Sequence, residues 1–278
     1  MSALRGTLRL CDLHTHSTAS DGQYTPSELA ALVKERGVEV WALTDHDTTG
    51  GVREAMDAGK ALGLRVIPGI ELSAREYRTF HILGYGFRMD DPGLLALCAR
   101  MKTGRDERAK RIIAYLGENG MPMALSEVEA IAGGEVVGRP HFAQAMVARG
   151  YVASNREAFD RWLDTGEFHA LIERVKPSAR ECVETIKAAG GKVSLAHPYQ
   201  IGVDDAALEA IVRELKDCGL DAIECFYPKF TPEQQALYLR LAEKYGLHVT
   251  GGSDFHGERV KPDTALAAWE LDTGWLLP

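Results

Sequence analysis

Short apolar runs alternate with capped helical segments through the first third of the chain, and the alternation returns after residue 178. Leu8 to Leu13 reads as a strand, followed by a polar loop from His14 to Gln23. Thr25-Pro26-Ser27-Glu28 then opens a helix, with Thr25 as N-cap, Pro26 in the first position and Glu28 closing a capping box. That helix runs to about Arg36 and stops at Gly37. Val38 to Leu43 is the next strand, and Thr44-Asp45-His46-Asp47 follows it. A helix from about Gly51 to Leu62 ends at Gly63, and Leu64 to Ile67 starts a strand leading to Gly69-Ile70-Glu71. Later, strands over Lys192–Ala196, Asp221–Phe226 and Leu247–Gly251 alternate with helices over Ser178–Ala189, Asp204–Cys218 and Thr231–Tyr245. This rhythm predicts parallel strands with helices outside them, an α/β fold built as a (β/α) barrel or barrel-like sheet.

From about Asp91 to Val175 the alternation is missing and helical pattern dominates, which marks an inserted helical cap. The division is residues 1–100 and 175–278 for a discontinuous barrel, and 101–174 for the cap. Residues 101–176 hold 11 Lys/Arg and 11 Asp/Glu, so the rest of the chain carries the whole net charge of −8. That balance disfavours a long basic face for duplex nucleic acid, while leaving room for a local cationic pocket that takes a small anion. No apolar run is long enough to cross a bilayer, and Met1–Gly6 passes quickly into polar sequence, against a secretory leader. Cys11, Cys98, Cys182, Cys218 and Cys225 are odd in number and scattered, as reduced thiols of a cytoplasmic protein would be.

Barrels of this kind carry their chemistry on the loops after the strand C-termini. Here those loops hold His14, His16 and Asp21, then His46 between Asp45 and Asp47, then Glu71. His81 lies in the next extended segment, His197 and Glu224 end later strands, and Asp254 and His256 follow the last. Six of the nine histidines thus lie at or near strand ends. His-x-His on an extended segment points both rings to one face, and imidazole mixed with carboxylate suits Mn, Zn or Fe. Single members have blander readings. His248 inside an apolar strand is structural, His169 in the cap is a surface residue, and Asp45-His46-Asp47 alone fits a turn with a helix cap. The set as a whole reads as a metal centre.

The motifs Asp12-Leu13-His14-Thr15-His16-Ser17 with Asp21-Gly22, Leu43-Thr44-Asp45-His46-Asp47 and Pro68-Gly69-Ile70-Glu71 resemble the PHP (polymerase and histidinol phosphatase) family. So do His81-Ile82-Leu83-Gly84, Ala196-His197-Pro198 and Gly252-Ser253-Asp254-Phe255-His256, in the family order across almost the whole chain. The resemblance implies a distorted seven-stranded TIM-like barrel, the PHP fold, and two or three divalent metal ions, with Mn ahead of Zn or Fe. It implies nine ligands: His14, His16, Glu71 and Asp254 around a first ion, and Glu71 bridging to a second held partly by His81. Asp21, His46 and His256 complete a third, and His197 is the ninth. The catalytic charge falls on Glu71, Asp254 and His197.

Val137-Gly138-Arg139-Pro140-His141-Phe142 in the insert resembles the PHP phosphoesterases that act on 3′,5′-bisphosphonucleotides and on the 5′ ends of short RNA. The expected reaction is attack of metal-bound hydroxide on the 3′-phosphate of a nucleoside 3′,5′-bisphosphate, with Arg108, Arg139 and His141 holding phosphate. Arg108 shares a helical stripe with Met101, Arg105 and Ile112, and reads either as a phosphate contact or as half of a structural ion pair. Arg139-Pro140 reads as a phosphate grip or as the opening of a helix, and both readings are compatible. Cys225 is read as lining the site. Rival readings are a histidinol-phosphate-type monoesterase, a 5′-3′ exonuclease on short 5′-phosphorylated RNA, and a non-catalytic metal-binding accessory module.

Overall fold

Strands β1 (Leu8–Asp12), β2 (Val40–Leu43), β3 (Arg65–Ala74), β4 (Phe80–Tyr85), β5 (Lys192–Leu195), β6 (Ala222–Phe226), β7 (His248–Gly251) and β8 (Trp269–Asp272) form one sheet. Their order in this computed structural model, which describes residues 8–133, 136–172 and 174–276, is β7-β6-β5-β4-β3-β2-β1-β8. Met1–Gly6, read above for a leader, lies outside the described residues. The sheet curls until the segment after β1 meets the segment after β7: Leu13 N–H donates to Gly251 O at 3.0 Å, and His16 N–H to Phe255 O at 2.9 Å. The closing seam is therefore made by the chain that carries His14, His16 and Asp254.

Two features depart from an all-parallel barrel. β4 runs antiparallel to both β3 and β5, and β8 pairs antiparallel with β1. The reason for the first is length, because the short link from Ala74 to Phe80 closes a hairpin, whereas a parallel return needs a crossover of a dozen residues or so. β3 also runs on through Glu71 to Ala74, so Glu71 sits within a strand and not after one. The outcome is a distorted TIM-like barrel of mixed strand direction.

Helices α1 (Pro26–Glu35), α2 (Val52–Leu62), α8 (Ala179–Ala188), α9 (Asp205–Cys218) and α10 (Pro232–Tyr245) cover the outside, and the cap supplies α3 (Pro92–Glu118), α4 (Leu125–Ala132), α5 (Arg139–Ala148), α6 (Asn155–Ala158) and α7 (Gly166–Leu171). The Thr25 capping box fixes the start of α1. Strand alternation sorts the barrel side chains. Ile67, Leu83 and Tyr85 fill the interior, while Ile70, Leu72 and Ile82 turn outward against Val183, Ile186 and Val212. Each such buried aliphatic group contributes roughly 1.5–3 kcal/mol of burial free energy. The long α3 joins two cores: Leu94, Leu97 and Met101 pack on the barrel side, and Ile112 and Leu116 pack with Phe142, Met146 and Phe168. The boundary expected at residue 101 falls within this continuous helix.

Candidate metal centre

Glu71 is the hub of the rim. Its Oε1 lies 3.3 Å from His14 Nε2, 2.8 Å from His81 Nδ1 and 2.9 Å from His197 Nε2. Its Oε2 lies 3.3 Å from His16 Nε2 and 2.7 Å from His46 Nδ1. Asp254 Oδ1 stands 3.4 Å from His16 Nε2 and 3.4 Å from His256 Nδ1. Asp21 Oδ1 is 3.4 Å from His256 Nε2 and 3.9 Å from His46 Nε2. All nine side chains thus converge. They fall into overlapping sets: His16, Asp21, His46 and His256; His14, Glu71 and His197; His14, His16 and Asp254; His46, Glu71 and His81.

Backbone geometry makes this crowding possible. A Cβ on Gly252 would lie 2.1 Å from the Cβ of His14, and one on Gly22 would lie 2.3 Å from His16 O. Only glycine lets those chains approach so closely. Behind the ligands stands a layer of buried acceptors. Glu224 Oε1 is 3.3 Å from His14 Nδ1, and its Oε2 accepts from His197 N–H at 2.7 Å. A carboxylate behind Nδ1, with Nε2 turned to Glu71, is the usual way a ligating imidazole is oriented. Asp12 accepts from Ser253 Oγ at 2.6 Å, and Asp45 accepts from Ser17 Oγ at 2.7 Å and Ser20 Oγ at 2.6 Å, tying neighbouring ligand loops together.

The residues fit divalent ions on their own terms. His14 Nε2, His16 Nδ1 and Nε2, His46 Nδ1, His197 Nδ1 and Glu71 Oε2 are buried and, despite their short separations, make no well-directed hydrogen bond. Orphaned polar atoms so concentrated are rare unless a cation satisfies them. Burial opposes ionisation of Glu71, but His81, His46 and His14 outweigh it and hold its carboxyl well below the ordinary range. Asp254 is likewise held down against burial, by Lys261 and the nearby imidazoles. Burial, with His256 and His46, drives His16 well below the usual imidazole range, and burial pushes His81 down to about 4 despite Glu71. Against burial, Glu71 and Glu224 raise His14 well above the usual imidazole range, and Glu71 and Asp21 raise His46 to about 9, so an ion bound there displaces protons from those two rings.

A cavity of about 440 Å³ opens from Asp21, His46 and His81 onto the cap. The same cavity is lined by Arg75, Arg78, Arg105, Arg108, Arg139, Arg174 and Lys176, and Phe159, Tyr77 and Ile172 provide apolar surface. Arg108 has no ion-pair partner among the described residues; its guanidinium lies 5.5 Å over the Phe168 ring and its Nε is buried and unpartnered. Arg139 pairs with Asp164, donates to Leu163 O at 3.1 Å and lies over Phe159. Phe159 opens a π-helical turn, Phe159–Leu163. His141 lies in the first turn of α5, where its Nδ1 accepts from Gly138 N–H at 3.1 Å, and it borders a smaller cavity with Gln23, Gln144 and Arg259.

Several placements differ from the sequence reading. Cys225 does not line the site: strand alternation turns Glu224 inward and Cys225 outward into the helix-facing core, where burial pushes its thiol up. His169 is not a bare surface group, since its Nε2 is 2.9 Å from Asp164 Oδ1 on the cavity wall. His248 is exposed and stacks on Trp275 with ring centroids 4.4 Å apart. Tyr227 and Lys261 join the site beyond the residues that the sequence motifs mark. Both donate to Asp254 Oδ2, the tyrosine at 2.9 Å, and no spacing in the sequence announces either contact.

Residues 12–165 match the PHP domain family. A 5′-3′ exoribonuclease of Haemophilus influenzae is 37% identical over 88% of this chain and 89% of its own length. The chain belongs to the PHP family. A phosphoribosyl 1,2-cyclic phosphate 1,2-diphosphodiesterase of Eggerthella lenta is 34% identical, covering 89% of this PHP chain and 94% of the relative. A 3′,5′-nucleoside bisphosphate phosphatase of Chromobacterium violaceum is 32% identical over 88% of this chain and 86% of its own length. The structure of an amidohydrolase from the same organism, with bound sulfate and no metal, aligns with a TM-score of 0.85 at 31% identity, covering 95% of this chain and 92% of that one. The PHP chain is a metal-dependent phosphoesterase, and its cluster of His, Asp and Glu is able to bind metal ions. Among the described residues no helix is long and apolar enough to cross a membrane.

Proposed function

We propose that this chain removes the 3′-phosphate of nucleoside 3′,5′-bisphosphates such as adenosine 3′,5′-bisphosphate, leaving the nucleoside 5′-monophosphate. One observation carries the reading: a single cavity is lined both by the metal ligands Asp21, His46 and His81 and by a cluster of arginines. Its volume of about 440 Å³ falls in the range of small-molecule sites. A nucleoside carrying two phosphates, one for the ions and one for the arginines, matches that lining. Up to three divalent ions, Mn ahead of Zn or Fe, would supply Lewis-acid activation and charge stabilisation at the phosphoryl group to be cleaved.

The rest falls to the chain. Glu71 and Asp254 contribute the negative charge that holds the ions, and His197 completes the catalytic trio against Glu71. Arg108 and Arg174 each keep a buried, unpartnered Nε, so a phosphate oxygen gives them the acceptor they lack. Arg139, steadied by Asp164 and Phe159, grips the same 5′-phosphate. His141 acts through Gly138, holding the turn from which Arg139 projects. In this division the cap selects and the barrel reacts, in a cytosolic enzyme with reduced cysteines. Release of nucleotides from short 5′-phosphorylated RNA is the second reading, favoured by the name of the Haemophilus relative.

Specificity constants for adenosine 3′,5′-bisphosphate, histidinol phosphate and a short 5′-phosphorylated RNA test the proposal. The bisphosphate should lead by at least about tenfold. A lead for histidinol phosphate overturns it, and a lead for RNA transfers the site to the exonuclease reading. Arg139→Ala should lower kcat/KM for the bisphosphate by about 10- to 100-fold, and much less for a 3′-phosphate lacking the 5′ group.

A further inference from the structure

Among the described residues, three non-glycine positions have positive φ: Asp47 at 60°, His197 at 24° and Asp254 at 52°. A left-handed backbone costs roughly 1–2 kcal/mol for most side chains, and such outliers gather at functional sites. His197 and Asp254 belong to the metal cluster. Asp47 does not, although aspartate enters this region more readily than most residues, and its contacts set it apart.

Its side chain is almost fully buried, at 1% exposure. Asp47 Oδ1 accepts from Ser73 N–H at 2.8 Å, and Asp47 N–H donates to Glu71 O at 2.9 Å. The residue is therefore fastened to β3, the strand that carries the hub carboxylate. Its Oδ2 accepts from Ser73 Oγ at 3.3 Å and also reaches the cap. It accepts from Arg105 through Nε at 2.8 Å and through Nη2, and from Arg174 Nη1 at 3.0 Å. Arg105 lies on α3 where that helix passes toward the second core, and Arg174 lies beyond α7 where the chain returns. One carboxylate oxygen thus binds both crossings between cap and barrel. Both arginines line the substrate cavity, and two cations on one anion leave positive charge in excess. Neighbouring buried guanidinium groups repel and are costly to desolvate unless a shared carboxylate offsets them.

We propose that Asp47 is a positioning residue: it clasps the two crossings of the cap to β3 and presets Arg105 and Arg174 beside the metal rim for the distal phosphate of the substrate. The clasp stands on geometry alone, and only the identity of the distal group rests on the function proposed above. Asp47 neither binds metal nor touches the reacting phosphate; it sets where two phosphate-seeking groups wait.

Asp47→Asn and Asp47→Glu in the full-length, metal-loaded protein test this. Three quantities are read: hydrogen exchange of the segments carrying Arg105 and Arg174, metal bound per chain, and kcat and KM for adenosine 3′,5′-bisphosphate. With Asp47→Asn, exchange in those segments should rise at least about tenfold and KM about tenfold or more, while metal content and kcat stay within about twofold. Asp47→Glu, which keeps the charge, should recover part of the KM. Unchanged exchange overturns the clasp. A loss of metal and melting temperature with KM unchanged also overturns it, since that is the pattern of a purely structural aspartate. If the wild-type chain does not hydrolyse the bisphosphate, the proposed substrate fails alone, and the exchange data still decide the clasp.

Discussion

The metal rim and the cationic wall border one cavity, yet they are built in opposite ways. On the rim, short side chains leave strand ends and strand interiors, and a second buried layer of Glu224, Asp12 and Asp45 fixes chain and rings alike. On the wall, long cationic side chains come from the cap helices, the crossings and the β3–β4 link of the barrel, and lean on a few carboxylates, chiefly Asp47 and Asp164. The rim admits little adjustment and serves phosphoester chemistry in general. The wall reaches through flexible stems, and its register with the rim depends on the clasp and the cap core. A family that keeps one chemistry and changes substrates has reason to separate the two.

The sharpest way to break that comparison is to remove a rim ligand. Asp254→Ala deletes an acceptor facing His14, His16 and His256, and leaves Lys261 and Tyr227 without their partner. Turnover of every phosphoester should fall by about 1000-fold or more, and bound metal per chain should drop, as measured by elemental analysis. Cap substitutions should leave the metal content intact. Retention of metal and turnover by Asp254→Ala would mean that the rim is not the reaction centre.

The contrast between rim and wall also governs what the sequence could reveal. His14, His16, Glu71 and Asp254 were legible because ligand chemistry restricts residue type and the barrel dictates where such types must stand. β1, β2, β5, β6 and β7, and the helices beside them, were legible from apolar runs and caps such as Thr25-Pro26-Ser27-Glu28. The extra strand β8 was not, because an apolar run carries no record of its partner, and the antiparallel turn of β4 is written only in the shortness of the link from Ala74 to Phe80. The wall was legible only as charge. That Arg105 and Arg174, far apart in sequence, share Asp47 is a tertiary fact without local pattern. Tyr227 and Lys261 reach Asp254 for the same reason unseen. Cys225 shows a further limit: period two tells which neighbours face opposite ways, but not which of them faces in.

A second prediction tunes the wall without touching the rim. Lys176 Nζ donates to Ala74 O and Arg78 O, both at 3.1 Å, at the cavity edge. Burial, and then Arg174, pull its ammonium down to about 7, with Asp47 opposing. Below that value the group is charged and attracts phosphate; above it the attraction fades. The wild-type advantage over Lys176→Met in kcat/KM for the bisphosphate should therefore be largest below pH 7 and shrink as pH rises through it; comparing the two proteins cancels the titration of the substrate. Stability runs the other way. Between about 7 and the ordinary lysine value of 10.5 the unfolded chain holds the extra proton, so stability rises with pH across that window. Lys176→Met should flatten that slope in denaturant titrations, and an unaltered slope would assign the low value to another group.

The smallest effect asks whether the rim is fixed by the sheet alone. Thr25 caps α1 directly after the loop that carries Asp21, accepting from Glu28 N–H at 3.2 Å, while Glu28 Oε2 accepts from Thr25 N–H at 2.9 Å. Thr25→Ala removes the hydroxyl but not the backbone half of the box, so it should cost about 1 kcal/mol of stability. Asp21 is held separately: Gly22 N–H donates to Ser17 O at 2.8 Å, and Gln23 N–H to His256 O at 2.7 Å. Those bonds bind the loop to the rim before α1 begins. Metal content and kcat/KM should thus stay at wild-type values while the midpoint of denaturation shifts. If metal is lost along with stability, the outer helices share in setting the ligands, and the rim is less independent of its surroundings than its buried second layer implies.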